Sequence, residues 1–164
     1  MSDLLLVACS KRKLHTTGLL PAGSRYDGGA FRVVKRARRE GYTPRNLTIL
    51  ILSAKYGLIT EGSMIEDYDQ VMDRERATAL REEVSHQLDD AVGQLRPRSI
   101  FVSLGLLYSP AIATAMVFRQ LEQAGIVERA TGRPGERQAQ LRSWLWKRAD
   151  AQVERTSSSR EMDR

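Results

Sequence analysis

Three short apolar runs, each stopping abruptly at small and polar residues, constrain this chain more than any other feature. They are Leu4–Ala8 before Cys9-Ser10-Lys11, Leu50-Ile51-Leu52 before Ser53-Ala54-Lys55-Tyr56-Gly57-Leu58, and Ile100-Phe101-Val102 before Ser103-Leu104-Gly105. Near-continuous apolar runs of this length read as strands buried on both faces, the pattern of a parallel sheet covered by helices. Open α/β sheets bind their ligands beyond the carboxyl ends of the strands. The three polar ends therefore mark one functional edge.

The segments between the runs read as helices and turns. Phe31, Val34 and Ala37 share one face of an expected helix over 30–40, with Arg32, Lys35, Arg36, Arg38 and Arg39 on the remainder and Gly41 as its stop. The segment from Glu61 to Asp73 reads as an acidic loop. Asp73 then caps an expected long helix over 74–94, along which Ala77, Leu80, Val84, Leu88, Val92 and Leu95 form an apolar stripe. Ser109-Pro110 is a cap followed by a proline suited to the first helical turn, opening a helix to Ala124. A short fourth strand is expected over 126–130, then a helix over 136–154 bearing Leu141, Trp144 and Leu145. Strands that alternate with helices call for parallel pairing. The expected fold is a small three-layer α/β domain, a parallel sheet of three to four strands flanked by helices. It spans 1–155 as one domain, with a disordered tail over 156–164.

Composition narrows the function classes. No apolar run approaches the roughly 20 residues of a membrane span, and Cys9 is the single cysteine among 164 residues. A lone cysteine excludes an internal disulfide and fits the cytoplasm. With only His15 and His86 as histidines, and no Cys/His cluster, neither a metal nor a cofactor is expected. The net charge of +6 is concentrated in residues 1–50, which hold ten Lys/Arg against three Asp/Glu. That surplus fits an anionic partner, or an arginine-biased composition with no partner at all.

The candidate site residues sit at the strand ends. Cys9-Ser10-Lys11-Arg12-Lys13 sets three cations and a hydroxyl where backbone amides suit a phosphate or carboxylate. A solvated basic turn is the plain alternative. Cys9 would be a nucleophile if nearby cations lowered its thiol pKa, but a small residue closing the strand is the simpler reading. Lys55 directly follows a buried strand, which is costly unless the ammonium has a partner or faces a cleft. Gly57 permits a turn that other residues resist, Ser53 stands at the strand's end, and Tyr56 offers a flat face for stacking. The acidic loop supplies Asp67 and Asp69 around Tyr68 as candidate carboxylates near Lys55. Ser103, Gly105 and Tyr108 complete the edge, beside an expected helix N-terminus at Ser109 that favours an anion. The loop Thr131–Gly135, through Arg133 and with Arg137, either closes over a phosphate or is a plain basic turn. It is not a Walker A sequence.

Taken in order, Cys9-Ser10-Lys11-Arg12-Lys13, Pro21-Ala22 with Tyr26 and Phe31, Ser53-Ala54-Lys55-Tyr56-Gly57-Leu58, and Ile65 with Tyr68-Asp69 resemble an uncharacterised bacterial and phage α/β domain family. That family carries the pattern CSxxK … PAxxLY … F … SAKYGL … I..YD. The match runs over roughly residues 4–72 and adds Tyr26 to the binding candidates. Arg25 stands where the family usually has an apolar residue, Gly28 where it tends to have Ser, and Asp67 where Pro is common. More distantly, the CSxxK start is similar to the C-terminal part of archaeosine synthase and to uracil-DNA-glycosylase-like domains. That similarity implies a nucleobase or nucleotide substrate.

The resulting expectation is an enzyme acting on a nucleotide, a nucleoside or modified nucleic acid, by hydrolysis or exchange of an N-glycosidic bond. Ser10, Lys11 and Lys13 hold phosphate, Tyr56 and Tyr68 orient the base, Asp69 or Asp67 serves the reacting sugar, and Lys55 sets that carboxylate's charge state. The rivals are a non-catalytic DNA- or RNA-binding module using the basic face of the 30–40 helix, and a biosynthetic enzyme on a small anionic metabolite. Oligomeric state is left open.

Overall fold

Each of the three apolar runs forms a strand, and the three lie side by side. The computed structural model describes residues 1–162, with side chains through residue 154. The expected tail over 156–164 lies outside the fully described residues. In chain order the elements are β1 (Asp3–Ala8), β2 (Leu20–Pro21), α1 (Ala22–Arg25), α2 (Gly29–Glu40), β3 (Leu47–Ser53), β4 (Gly57–Thr60) and β5 (Met64–Ile65). There follow α3 (Arg74–Ala79), α4 (Arg81–Leu95), β6 (Ser99–Ser103), a 3-10 turn (Ser109–Ile112), α5 (Met116–Gln123), β7 (Val127–Arg129) and α6 (Pro134–Met162).

The main sheet has the order β4-β3-β1-β6-β7. Its β3, β1, β6 and β7 are parallel, and β4 joins antiparallel at the edge. Alternation along the strands divides the core in two. Leu4, Leu6, Leu50, Leu52, Ile100 and Val102 pack with α3, α4, the 3-10 turn and α5. Leu5, Val7, Ile49, Ile51 and Phe101 pack with α2 and α6. Each such fully buried side chain contributes about 1.5–3 kcal/mol. The result is a small three-layer α/β domain.

Several expectations hold in detail. Gly41 ends α2 in the left-handed conformation, with φ of 79°, and Asp73 caps α3 by accepting from the Arg76 amide at 2.7 Å. The short strand expected over 126–130 is β7. Three expectations need correction. The segment after Leu58 is not all loop: Met64–Ile65, inside the expected acidic loop, is β5 and pairs antiparallel with β2, and another strand precedes it. Gly57 (φ 73°) turns the chain back so that Ser53 pairs with Gly57 and Leu50 with Thr60, making β4. The helix expected over 74–94 is two helices jointed at Leu80, and the apolar stripe runs across the joint without registering it. The helix expected from Ser109 does not begin there. Ala111, Ala113 and Ala115 instead donate to carbonyls three residues back. The later helix α5 takes its cap from a distance, its Met116 and Phe118 amides donating to the Asp89 carboxylate at 2.7 and 2.9 Å.

Polar groups also close the sheet at its amino end. The wholly buried Asp3 carboxylate accepts two bonds from Arg98, at 2.9 and 2.5 Å. Trp144 Nε1 donates to Ser99 Oγ at 3.1 Å. Removing one member of a buried pair leaves the other charge uncompensated, which typically costs about 3–5 kcal/mol. Asp3→Ala is therefore expected to lower unfolding free energy by about that amount in urea titrations, and Asp3→Leu with Arg98→Met to recover much of it. A single-variant loss below about 1 kcal/mol would show that the pair behaves like an exposed one.

Candidate functional site

The chain leaves β1 for β3 on one side, then returns past it to β6 on the other, so the loops following β1 and β6 diverge. This is the crevice in which open α/β sheets bind ligands. A cleft of about 280 Å³ lies there, at the small end of ligand pockets. Cys9 and Ser10 line it beyond β1, and Ser103 and Gly105 beyond β6. Gly28, Gly29 and Ala30 at the start of α2, and Pro134, Arg137 and Gln138 at the start of α6, complete it. The first turn of α2 thus presents unpaired N–H groups to this space, where its dipole favours an anion, while α6 contributes Arg137: Pro134 has no N–H, and the Arg137 amide donates to the Arg133 carbonyl at 3.0 Å. Gly28 gives α2 no side-chain cap. The half-buried Arg137 has a buried Nε with no hydrogen-bond partner. None of the lining residues is a carboxylate.

A close backbone approach builds this rim. Ser10 Oγ donates to the Arg12 carbonyl at 2.6 Å and accepts from the Gly28 amide at 3.1 Å. A Cβ on Gly28 would stand 2.5 Å from Ser10 Cβ. One on Gly29 would meet only the mobile amide end of Gln138. Behind the rim, Arg25 is wholly buried, and its guanidinium donates to the carbonyls of Leu14, Thr16 and Gly18 at 2.6, 2.9 and 2.5 Å. The arginine that departs from the family pattern is thus the internal tie of the loop between β1 and β2.

The end of β3 forms a second cluster. Ser53 Oγ accepts from the Lys55 and Tyr56 amides at 3.2 and 3.1 Å, holding the hairpin turn. It also meets the Tyr26 and Tyr68 hydroxyls at 3.3 and 3.0 Å, and these lie 2.5 Å from each other. Lys13, only 8% exposed, sets its ammonium 4.4 Å from the Tyr68 ring centre, and Lys55 approaches the same ring at 5.6 Å. Cys9 joins the two clusters: it lines the cleft, where its Sγ lies 3.3 Å from the Tyr108 hydroxyl, and it packs on the core group that holds Tyr26, Tyr56 and Tyr68. Burial pushes the Tyr26 hydroxyl up to about 12 and raises those of Tyr68 and Tyr108 as well, so all three stay protonated at neutral pH.

The candidate residues are therefore distributed unevenly. The structure brings Cys9, Ser10, Ser103 and Gly105 to the cleft, with Tyr108 against Cys9. It gathers Lys13, Tyr26, Ser53, Tyr56 and Tyr68 into the neighbouring cluster, with Gly57 closing the hairpin. Lys11 is exposed, and so is Lys55 on the hairpin tip, where Arg76 donates to the Ala54 and Lys55 carbonyls. Among the described residues Lys55 pairs with no carboxylate. Asp67 meets His15 Nδ1 at 2.9 Å, a bond that holds its carboxyl below the usual range. Asp69 is exposed, as is Arg133, and neither lines the cleft. Arg137, one turn further along, takes the place expected for Arg133. Sequence reasoning missed Gly28, Gly29 and Gln138, and the Gly-Gly pair before an uncapped helix was their one signal. Among the described residues no group of three His, Cys, Asp or Glu side chains could hold a metal ion.

Two outcomes test this geometry. Gly28→Ala is expected to destabilise by about 1–3 kcal/mol through overpacking against Ser10, and Gly29→Ala by much less; equal effects would contradict the close approach. Tyr26 ionises near 10 when unfolded and near 12 when folded. Its contribution is thus full below about pH 10 and is lost as pH rises toward about 12. Denaturant midpoints should fall between about pH 10 and about pH 12, and fall less in Tyr26→Phe.

Residues 4–142 match a family described as a family of unknown function, DUF6884. No curated protein and no solved structure matches the chain. With most of its length inside that match, including both clusters at the strand ends, the chain belongs to the DUF6884 family of unknown function.

Proposed function

We propose that the protein is an enzyme acting on a nucleotide or a nucleotide unit, bound in the cleft between the ends of β1 and β6. One observation carries this reading: the first turn of α2, which has no side-chain cap, and Arg137 of α6 meet at a cleft that no carboxylate lines. Such a space suits a phosphate, held by backbone amides and a guanidinium fork. The nucleobase part of the reading rests on the resemblance carried by Cys9–Lys13 and on the tyrosines around Cys9.

The chemistry proposed is hydrolysis or exchange of an N-glycosidic bond. Tyr108 is the proton donor to the departing base, since its hydroxyl is kept protonated by burial and oriented by Cys9. Asp67 and Asp69 have a lesser claim, because one is engaged by His15 and the other is exposed away from the cleft lining. The basic face of α2 argues weakly for a purely nucleic-acid-binding module. Arg38 is held by Glu61 through two bonds of 2.7 Å, Arg36 by Glu40, and Lys35 by Asp27 and the Tyr26 carbonyl.

Thermal-shift titrations with nucleoside monophosphates, nucleosides and inorganic phosphate test the binding. Monophosphates should stabilise most, by about 2.7 kcal/mol at a hundred times Kd, and Arg137→Ala should weaken them about tenfold or more. Chromatography for free base tests the chemistry, with Tyr108→Phe expected to lower kcat about a hundredfold or more while monophosphate binding persists. Absence of any monophosphate response, or wild-type affinity in Arg137→Ala, would sink the binding assignment.

A further inference from the structure

Between α2 and α6 runs a groove of about 540 Å³ that adjoins the cleft, the two sharing Gly28, Gly29 and Gln138 as their common wall. Arg12, Arg32, Arg36 and Arg142 line this groove, and Tyr42 lies at the α2 end remote from the cleft. Trp146 of α6 packs against Tyr42 with ring centres 5.2 Å apart and planes tilted by 45°, yet remains 54% exposed. About half of the indole surface thus stays open to solvent.

The charges of the groove are not balanced internally. Asp27 is the only carboxylate in its lining, and three cations share it: Arg32 at 2.9 Å, with Arg12 and Lys35 at 3.5 Å. Arg36 is taken by Glu40 at 2.7 Å, whereas Arg142 makes no ion pair among the described residues. Exposed ion pairs of this kind contribute little and exchange readily for a phosphate. A row of guanidinium groups that ends in an exposed aromatic pair is the chemistry of single-stranded nucleic acid, whose backbone follows the cations while a base stacks on the ring. From Gly29 to Tyr42 the helix path is about 20 Å long at 1.5 Å per residue, enough for a short run of nucleotides.

We infer that this groove holds the strand flanking the reactive nucleotide, so that the substrate is a single-stranded DNA or RNA segment and not a free nucleotide. This inference rests on the cleft reading above. The groove positions the strand on Arg142 and Arg12, stacks one base on Trp146, and delivers the adjoining nucleotide to the cleft past Gly28 and Gln138.

The test is fluorescence anisotropy with labelled short oligothymidylate and oligouridylate, between about 50 and about 200 mM salt, alongside monophosphate titrations. Circular dichroism checks that each variant is folded. Oligonucleotides should bind more tightly than the monophosphate, with a strong salt dependence. Arg142→Glu should weaken oligonucleotide binding about tenfold and flatten the salt slope by about 0.7 or more. Trp146→Ala should weaken it about tenfold, and both variants should bind monophosphate like wild type. If oligonucleotides bind no better than monophosphate, or if both variants bind them like wild type, the groove inference is overturned while the cleft reading stands. If monophosphate itself does not bind, the cleft reading fails and takes this inference with it.

Discussion

A parallel strand covered by helices on both faces can carry polar side chains only at its ends. In this chain β1 obeys that constraint and sets out everything around it. Leu4 to Val7 are at most 3% exposed and feed both cores. The polar groups of the central strands are pushed outward, to Asp3 and Ser99 at one end and to Cys9, Ser10, Ser53 and Ser103 at the other. At the amino end they are consumed by structure, in the pair between Asp3 and Arg98 and the bond from Trp144 to Ser99. At the carboxyl end the chain reverses direction across the sheet, and the same expulsion leaves a cleft. Stability and function are thus separated along one short strand.

The carboxyl edge is itself divided by how its hydroxyls are used. Around β3, Ser53 is surrounded by the amides of its own hairpin and by two phenols, a cluster with its donors and acceptors largely matched inside the protein. Around β1 and β6 the matching is incomplete, because α2 lacks a side-chain cap and Arg137 holds an unpartnered Nε. Unmatched polar groups at a crevice can be satisfied by a ligand; matched ones mainly hold shape. That difference in satisfaction, more than the identity of any residue, ranks the cleft above the hairpin as a binding site. Cys9 and Tyr108 stand at the border between them.

Periodicity made much of the fold legible, since apolar runs and stripes report which faces are buried. It could not report β4, because Ser53 to Gly57 has the look of an open ligand loop and the antiparallel return depends on pairing with β3. Nor could it report the joint at Leu80, across which the stripe is continuous. The cap of α5 comes from Asp89, a residue on another helix, so no local pattern at Ser109 could foretell where α5 begins. Part of the site was visible for the same reason that the strands were: Cys9, Ser10, Ser103 and Gly105 follow directly on buried runs. Lys55, Asp67 and Asp69 were drawn together by nearness in sequence, but the hairpin turns Lys55 outward and His15 takes Asp67.

By itself the sequence determined the three central strands and β7, the helix faces, the parallel pairing and the edge at which polar residues gather. These follow from burial, and burial is written in local pattern. Only the tertiary structure decided which strand ends adjoin, that α2 and α6 begin at the same cleft, and that Arg137 faces it while Arg133 does not. It also decided that Arg25 is an internal tie and that Trp146 lies exposed beside a row of arginines. The physical reason is that a cleft is made by groups distant in the chain whose hydrogen bonds and charges are left unmatched. That is a property of their arrangement in space, which spacing along the chain does not encode.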